Sequence, residues 1–318
     1  MAISLVESAK LSENDLQRGV IETFIQNSPV LDRIPLLEIA GNAYAYNEEG
    51  TLPGVEFRAV NNAYSESTGT VNQKTESLVI LGGDADVDRF IARTRGNLND
   101  QRAVQTAMKV KAASYKFQDT FFNGDVTVDA NGFDGLKKRL TGSQVVAAGT
   151  NGLPIVGNGT TDPQAFFDQL DNLLSLVPGI DATNGAIYAN AGLSAKIRSA
   201  GRRIGGVDTV REDLTGKRVL QYNGIPVLDP GLTAAGAAIL GQTETQGSSS
   251  VTSSIYAVKF GEDEGDRGVT GLTNGGVDVR DLGEVQDKPV FRTRIEFYCG
   301  LAVFGGKAAA RLTGVLNS

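Results

Sequence analysis

Residues 47–76 form a long polar segment, and this segment constrains the fold more than any other feature of the chain. Eight of its 30 residues are hydrophobic, against 41% of the whole sequence. Val55, Phe57 and Ala59 nevertheless alternate with charged residues, which is typical of an extended strand. We predict a two-stranded hairpin that leaves a globular body and returns to it. Because a lone hairpin is marginal in water, it must either be mobile or rest on something outside its own domain. The alternative is a flexible surface loop.

Composition narrows the possible functions. With 318 residues the chain can form two domains or one large elaborated domain. Its formal net charge of −7 argues against a broad basic face for nucleic acid, although a local basic patch remains compatible with it. The chain has no histidine, which excludes Ser-His-Asp and Cys-His catalysis and histidine-ligated metals.

The chain has a single cysteine, Cys299, which excludes an internal disulfide. The alternating strand pattern around Cys299 predicts a small buried side chain. We find no secretory signal and no run near the roughly 20 apolar residues of a membrane span.

Helices and strands alternate along the rest of the chain. An amphipathic helix is predicted over residues 11–26, and a long helix from Asn99 to about Phe122 would measure roughly 36 Å. We expect the buried stripe of the long helix to consist of Val104, Ala107, Met108, Ala112, Tyr115 and Phe122. Further predicted elements are a helix from Asp162 to Val177, a strand at 186–190, a helix at 192–204, a hairpin around Asn223-Gly224, and strands at 254–261 and 291–297.

Three polar stretches were candidates for chemistry. Residues 84–88 have the opening spacing of a calcium loop, but Arg89 stands where that loop needs glycine and Arg95 where it needs a bidentate glutamate. Residues 261–268 hold four carboxylates, a composition that fits a surface turn better than a metal site. Residues 149–159 are rich in glycine but lack the spacing of a phosphate loop. We therefore predict no catalytic residue, no cofactor, no metal site and no enzymatic activity.

Taken in order, these parts resemble the major capsid proteins of tailed bacteriophages, which have the HK97 fold. The similarity covers nearly the whole chain. The stretches most like the family are VIETFIQNSPVLDRIPLLEIAGNAYAY, LPGVEFRAVN, FFNGD, NGIPVLD, SIYAVKFG and RTRIEFYCGLAVF. None of them is a catalytic motif, so the resemblance depends on their joint order.

The resemblance implies an α+β, HK97-like architecture with four parts. Residues 1–42 would be an N-terminal arm, and residues 43–82 an extended β-hairpin loop. A peripheral domain with a long spine helix would comprise residues 83–135 and 285–318, and residues 136–284 would form an axial domain. The extended loop would lie across a neighbouring subunit, which would supply the core that the loop lacks.

The resemblance also implies a function. The chain would be a structural protein that self-assembles, as pentamers and hexamers, into the icosahedral head shell around the double-stranded DNA of a tailed phage. Expected partners are other copies of the chain, a separate scaffolding protein, a portal, and packaged DNA held by weak non-specific contact, with no membrane. Assembly would occur in the bacterial host cytoplasm and the product would be the virion. The alternatives are an encapsulin-like compartment shell, and a binding module whose hairpin docks a partner protein.

Charged residues of the loop are the predicted inter-subunit contacts. We expect pairing with charges on adjacent subunits at Glu48, Glu49, Glu56, Arg58, Glu66 and Lys74. Some members of the family join a loop lysine covalently to an asparagine of a neighbour, and Lys74 is the only lysine between Gly41 and Gly82. Because its sequence neighbours offer no apolar pocket that would keep it neutral, we expect shells held by non-covalent contacts.

Overall fold

The computed structural model describes residues 28–95, 101–157, 161–204, 210–212 and 218–318. The amphipathic helix predicted over residues 11–26 lies outside them. The helices are α1 (Arg89–Arg95), α2 (Gln101–Asn123), α3 (Leu136–Arg139), α4 (Thr161–Ser175) and α5 (Ala191–Ile204). The strands are β1 (Leu36–Glu38), β2 (Ala43–Glu49), β3 (Val71–Ser77), β4 (Val79–Asp88), β5 (Val145–Ala147), β6 (Leu153–Pro154), β7 (Gly185–Tyr188), β8 (Val210–Glu212), β9 (Arg218–Tyr222), β10 (Ile225–Leu228), β11 (Glu244–Gln246), β12 (Ser249–Lys259), β13 (Val269–Glu284), β14 (Val290–Val303) and β15 (Ala309–Leu316).

Within the described residues these strands form three sheets. A four-stranded sheet has the order β1-β13-β14-β4, and a nine-stranded sheet contains β5-β15-β12-β7-β10-β9-β8 with β6 and β11 attached at its side. The third sheet is the two-stranded hairpin β2-β3. The predicted turn at Asn223-Gly224 connects β9 to β10, with φ values of 51° and 78° at its two central residues, as a type I′ turn requires.

Strand pairing crosses the predicted domain limit at residue 285. β13, which precedes the limit, pairs with β14 over nearly its whole length. β15, which follows the limit, pairs with β12 in the nine-stranded sheet. The chain therefore crosses from one sheet to the other more than once. The four-part division into arm, loop, peripheral domain and axial domain stays a prediction.

The long helix α2 packs against the four-stranded sheet. Its Phe117 ring lies 6.1 Å from the Phe297 ring of β14, and Val110 and Phe121 are also buried. The predicted stripe was wrong at Val104, Ala107 and Met108, which are exposed, and right at Phe122, which is fully buried. The buried face contains polar residues as well, namely Thr106, Ser114 and Gln118. Apolar spacing alone therefore missed part of the packed face, because three positions on that face carry polar side chains.

A second core fills the space between the nine-stranded sheet and helices α4 and α5. Phe166, Leu170 and Leu173 of α4 are fully buried there, as the spacing of the predicted helix from Asp162 requires. Cys299 is 1% exposed on β14, and burial raises the pKa of its thiol to about 12. The prediction of a small buried cysteine is confirmed. No helix in the described part of the chain is both long and apolar enough to cross a membrane.

Candidate subunit interface

The base of the predicted hairpin is a regular antiparallel ladder. It runs from the pair of Ala43 and Ser77 to the pair of Glu49 and Val71. Tyr46, at its centre, is 4% exposed, and its ring packs edge-on against Phe304 with 4.9 Å between the ring centroids. The Tyr46 hydroxyl donates a hydrogen bond to the Val303 carbonyl at 3.3 Å, and burial raises the pKa of this phenol. The base of the hairpin is thus seated on the body of the subunit.

An ion pair fixes the other side of the base. The guanidinium of Arg139, at the end of α3, donates two hydrogen bonds to the carboxylate of Glu76 on β3. Each side chain is 17% exposed, so water screens this pair less than a surface pair. Arg139 also donates to the Asp134 carbonyl at 2.6 Å, which holds the guanidinium in place. Together with Tyr46, the pair leaves the base little freedom to pivot.

The tip of the hairpin has a different character. Every residue from 50 to 70 is exposed, and none of them belongs to a strand. Val55 is 96% exposed, Phe57 is fully exposed, and Val60 is 88% exposed. The strand predicted at residues 55–59 is therefore wrong for the isolated subunit. Side-chain alternation describes only one requirement of a strand, and the other is a neighbouring backbone to bond with.

Three of the predicted contact residues lie on the base, where they have partners in their own chain. Lys74 and Glu48 form an ion pair across the hairpin, with 2.8 Å between Nζ and Oε2. Glu49 lies 3.8 Å from the guanidinium of Arg267. These residues therefore connect the hairpin to itself and to its own subunit. Their pairing with a neighbouring subunit stays a prediction.

The other three predicted contact residues lie on the tip. Glu56 accepts a 2.6 Å hydrogen bond from the Ser65 amide, and bonds from Ser65 lower the pKa of this carboxyl. Arg58 donates to the Asn62 carbonyl at 3.1 Å, and its guanidinium lies 5.1 Å from the centroid of the Tyr64 ring. Glu66 is exposed. Local bonds thus shape the tip while its apolar side chains stay uncovered.

The acidic stretch at residues 84–88 proves to be part of a cross-strand ladder. Asp84 accepts two hydrogen bonds from Arg294 at 2.8 and 3.0 Å, and Asp86 accepts two from Arg292, both at 2.7 Å. These bonds lower the pKa of both carboxyls. Among the described residues there is no group of three or more side chains that could hold a metal ion. The alternation that suggested calcium ligands therefore reflects strand pairing.

Sequence reasoning missed the residues that seat the hairpin. Tyr46 stands in the alternation AYAY, which would have indicated a buried face had it been read as the start of the hairpin. The pairing of Arg139 with Glu76 joins positions 63 residues apart, and no sequence spacing indicates it.

One family model matches the chain. The model for Major capsid protein GP7 matches residues 12–163, which include the hairpin and α2. No curated protein matches the sequence significantly.

Solved structures with similar architecture are capsid and encapsulin shells. The capsid of the native GTA particle superposes with a TM-score of 0.63 at 14% identity, over 91% of this chain and 90% of that one. The holo-SrpI encapsulin from Synechococcus elongatus PCC 7942 gives 0.61 at 18% identity, over 89% and 86%. Microbacterium phage Oxtober96 gives 0.55 at 12% identity, over 91% of both chains. The fold is therefore α+β of the HK97-like type, as predicted.

Proposed function

We propose that this chain, a capsid shell protein of the phage major capsid type with an HK97-like fold, assembles as pentamers and hexamers into the icosahedral head of a tailed phage. The observation that carries the proposal is the contrast between a seated hairpin base and an uncovered tip. Monomeric proteins rarely leave apolar side chains such as Val55, Phe57 and Val60 together in water. The tip is built to be covered by another molecule, and in a shell that molecule is a neighbouring subunit.

The energetics suit a shell of many weak contacts. Full burial of a valine or phenylalanine side chain contributes about 1.5–3 kcal/mol. Three such side chains on one tip contribute roughly as much as the cost of immobilising two subunits, which is on the order of 4–15 kcal/mol, so a single contact between two subunits is weak. Each subunit both donates a tip and receives one, so the contacts become sufficient when a closed ring forms.

Further partners follow from this function. A separate scaffolding protein would control curvature, a portal would occupy one vertex, and double-stranded DNA would be enclosed with weak non-specific contact, in keeping with the net charge of −7. Assembly would occur in the host cytoplasm, and the chain would then reside in the virion. The likeness to the SrpI encapsulin supports a second candidate, a compartment shell without a genome.

Electron microscopy of the purified chain tests the proposal. We expect closed polyhedral particles, formed either by the chain alone or with its scaffolding protein, and nuclease-resistant double-stranded DNA in particles taken from infected cells. Particles that hold protein cargo and no DNA would favour the compartment. A chain that stays monomeric at high concentration, with and without scaffold, would overturn both and favour a binding module.

A further inference from the structure

Helix α3 consists of a single turn that contains three consecutive basic residues. Leu136 at its start is fully buried, and Leu140, which follows the helix, is buried as well. A helix this short is not stable by itself, because its first turn orders several residues for one hydrogen bond. Contacts with other elements must therefore hold the turn in place. The two leucines provide such contacts on the buried side, and the basic residues extend from the rest of the turn.

The three basic residues of α3 pair with three different parts of the subunit. The Nζ atom of Lys137 lies 3.3 Å from Oε1 of Glu244 on β11, which is attached to the nine-stranded sheet. Lys138 donates a 2.8 Å hydrogen bond to Oδ1 of Asp125, in the turn that follows α2. Arg139 binds the hairpin, as described above. One helical turn therefore contacts the hairpin, the end of the long helix and the nine-stranded sheet.

The nine-stranded sheet holds its side of this contact firmly. Oε1 of Glu244 also accepts a 2.7 Å hydrogen bond from Arg311 of β15, and its Oε2 accepts one from the Ser254 hydroxyl of β12. Burial raises the pKa of the Glu244 carboxyl, but the bonds from Ser254 and Arg311 outweigh the burial and lower it. The carboxylate is therefore charged near neutral pH and fixed by two strands. Its position and that of Lys137 depend on each other.

The start of α3 packs directly on the end of α2. The Gly135 amide donates a 2.9 Å hydrogen bond to the Gly124 carbonyl. A Cβ atom at Gly135 would overlap the Thr120 carbonyl of α2, so glycine allows this close approach of two backbones. The start of α3 is thereby fixed by its backbone. Its contacts with the hairpin and with the nine-stranded sheet depend on the side chains of Arg139 and Lys137.

We infer that α3 couples the hairpin to the nine-stranded sheet through the ion pairs that Arg139 and Lys137 form with them. Because a single helical turn carries both pairs, loss of either pair loosens the turn and weakens the other pair. A molecule that binds the hairpin and restrains it would in the same way order β11. The coupling is a property of the single subunit and does not depend on the function proposed above.

Amide hydrogen exchange of the unassembled chain, followed by mass spectrometry, tests the coupling in both directions. Lys137→Met removes the ion pair with Glu244 and keeps a long side chain. We expect it to speed exchange in β3, on the hairpin, at least about twofold, which corresponds to about 0.4 kcal/mol of local opening free energy. Glu76→Gln removes the pair on the hairpin side. It should speed exchange in β11 by a similar factor, because coupling between two sites is reciprocal.

Two further variants serve as controls. Lys137→Arg keeps the positive charge opposite Glu244, and its exchange in β3 should match that of the wild type. Lys116→Met removes an ion pair of another lysine, which lies 3.7 Å from Asp129 and is not on α3, and exchange in β3 and β11 should stay unchanged. All four residues of β7 are buried, so exchange in β7 reports global unfolding and should be the same in every variant.

Three results would overturn the coupling. The first is faster exchange only in the element that has lost its own partner, with β3 unchanged in Lys137→Met and β11 unchanged in Glu76→Gln. The second is an equal effect of Lys116→Met, because the response would then not depend on α3. The third is an equal rise in β7, which would mean that the subunit unfolds as a whole. None of these results bears on whether the chain forms shells, so the proposed function is tested separately.

Discussion

The base and the tip of the hairpin are continuous in sequence and equally polar, yet they form two kinds of structure. At the base, Tyr46 is 4% exposed and a complete ladder joins β2 to β3. At the tip, Phe57 is fully exposed and no ladder exists. The difference follows from what lies beneath each part: the base contacts Phe304 and Arg139 of its own subunit, whereas the tip extends beyond the body. The base therefore belongs to the fold, and we assign the tip to the assembly.

Removal of the tip should have the largest effect on assembly. Gly50 and Thr70 are joined by a 2.8 Å backbone hydrogen bond, so residues 51–69 can be replaced by a short glycine linker without disturbing the ladder. We expect complete loss of shells under the electron microscope. Thermal unfolding should change by no more than a surface substitution does, about 0.5 kcal/mol. A large loss of subunit stability would mean that the tip belongs to the subunit core.

Alanine substitutions at one aromatic residue of each part should have opposite effects on stability and assembly. Tyr46→Ala removes a buried ring and leaves a cavity against Phe304, which should lower the free energy of unfolding by about 3–5 kcal/mol. Phe57→Ala, at a fully exposed position, should leave unfolding unchanged and weaken assembly. Denaturant unfolding and particle yield are measured for both variants. Equal destabilisation by the two substitutions would contradict the assignment.

Loss of the ion pair between Arg139 and Glu76, at the base of the hairpin, should have an intermediate effect on the free energy of unfolding. Glu76→Gln removes the charge that accepts two hydrogen bonds from Arg139 and leaves a guanidinium that is only 17% exposed. We expect a loss of about 1–3 kcal/mol in denaturant unfolding. Arg58→Gln on the tip is the matched control, since its hydrogen bond to Asn62 is exposed, and it should cost less than 0.5 kcal/mol or so. If the two substitutions lower the free energy of unfolding equally, the base is no more fixed than the tip.

Much of the fold could be predicted from the sequence because its signals are local. The helix from Asp162 and the turn at Asn223-Gly224 each follow from residues a few positions apart. The buried face of α2 could not be predicted in the same way, since Ser114 and Gln118 are buried while Met108 is exposed. That choice depends on the shape of the sheet beneath the helix, which no helical periodicity encodes.

The candidate interface was only half predictable, for a similar reason. The hairpin itself and its lack of a core follow from composition. The contacts that seat it are non-local: Arg139 is 63 positions from Glu76, and the Tyr46 hydroxyl meets a carbonyl 257 positions away. The strand predicted at residues 55–59 is absent from the single subunit. Alternation of side chains does not indicate which chain supplies the neighbouring strand.

The smallest expected effect concerns Lys74, which pairs with Tyr46 at the centre of the base ladder. Its ion pair with Glu48 is 49% exposed on the lysine side but only 14% exposed on the glutamate side. Lys74→Ala should therefore lower the free energy of unfolding by about 1 kcal/mol, the upper end of the range for a surface pair. The same pair bears on covalent cross-linking. The ammonium of Lys74 is held 2.8 Å from the Glu48 carboxylate of its own hairpin, so it is turned toward its own subunit. We therefore expect boiled mature particles to give one band near 33.5 kDa on a denaturing gel, in wild type and Lys74→Ala alike. A ladder of multimers that disappears in Lys74→Ala would show that assembly moves Lys74 away from Glu48 into an apolar pocket of a neighbour. The base of the hairpin would then take part in assembly, as the tip does.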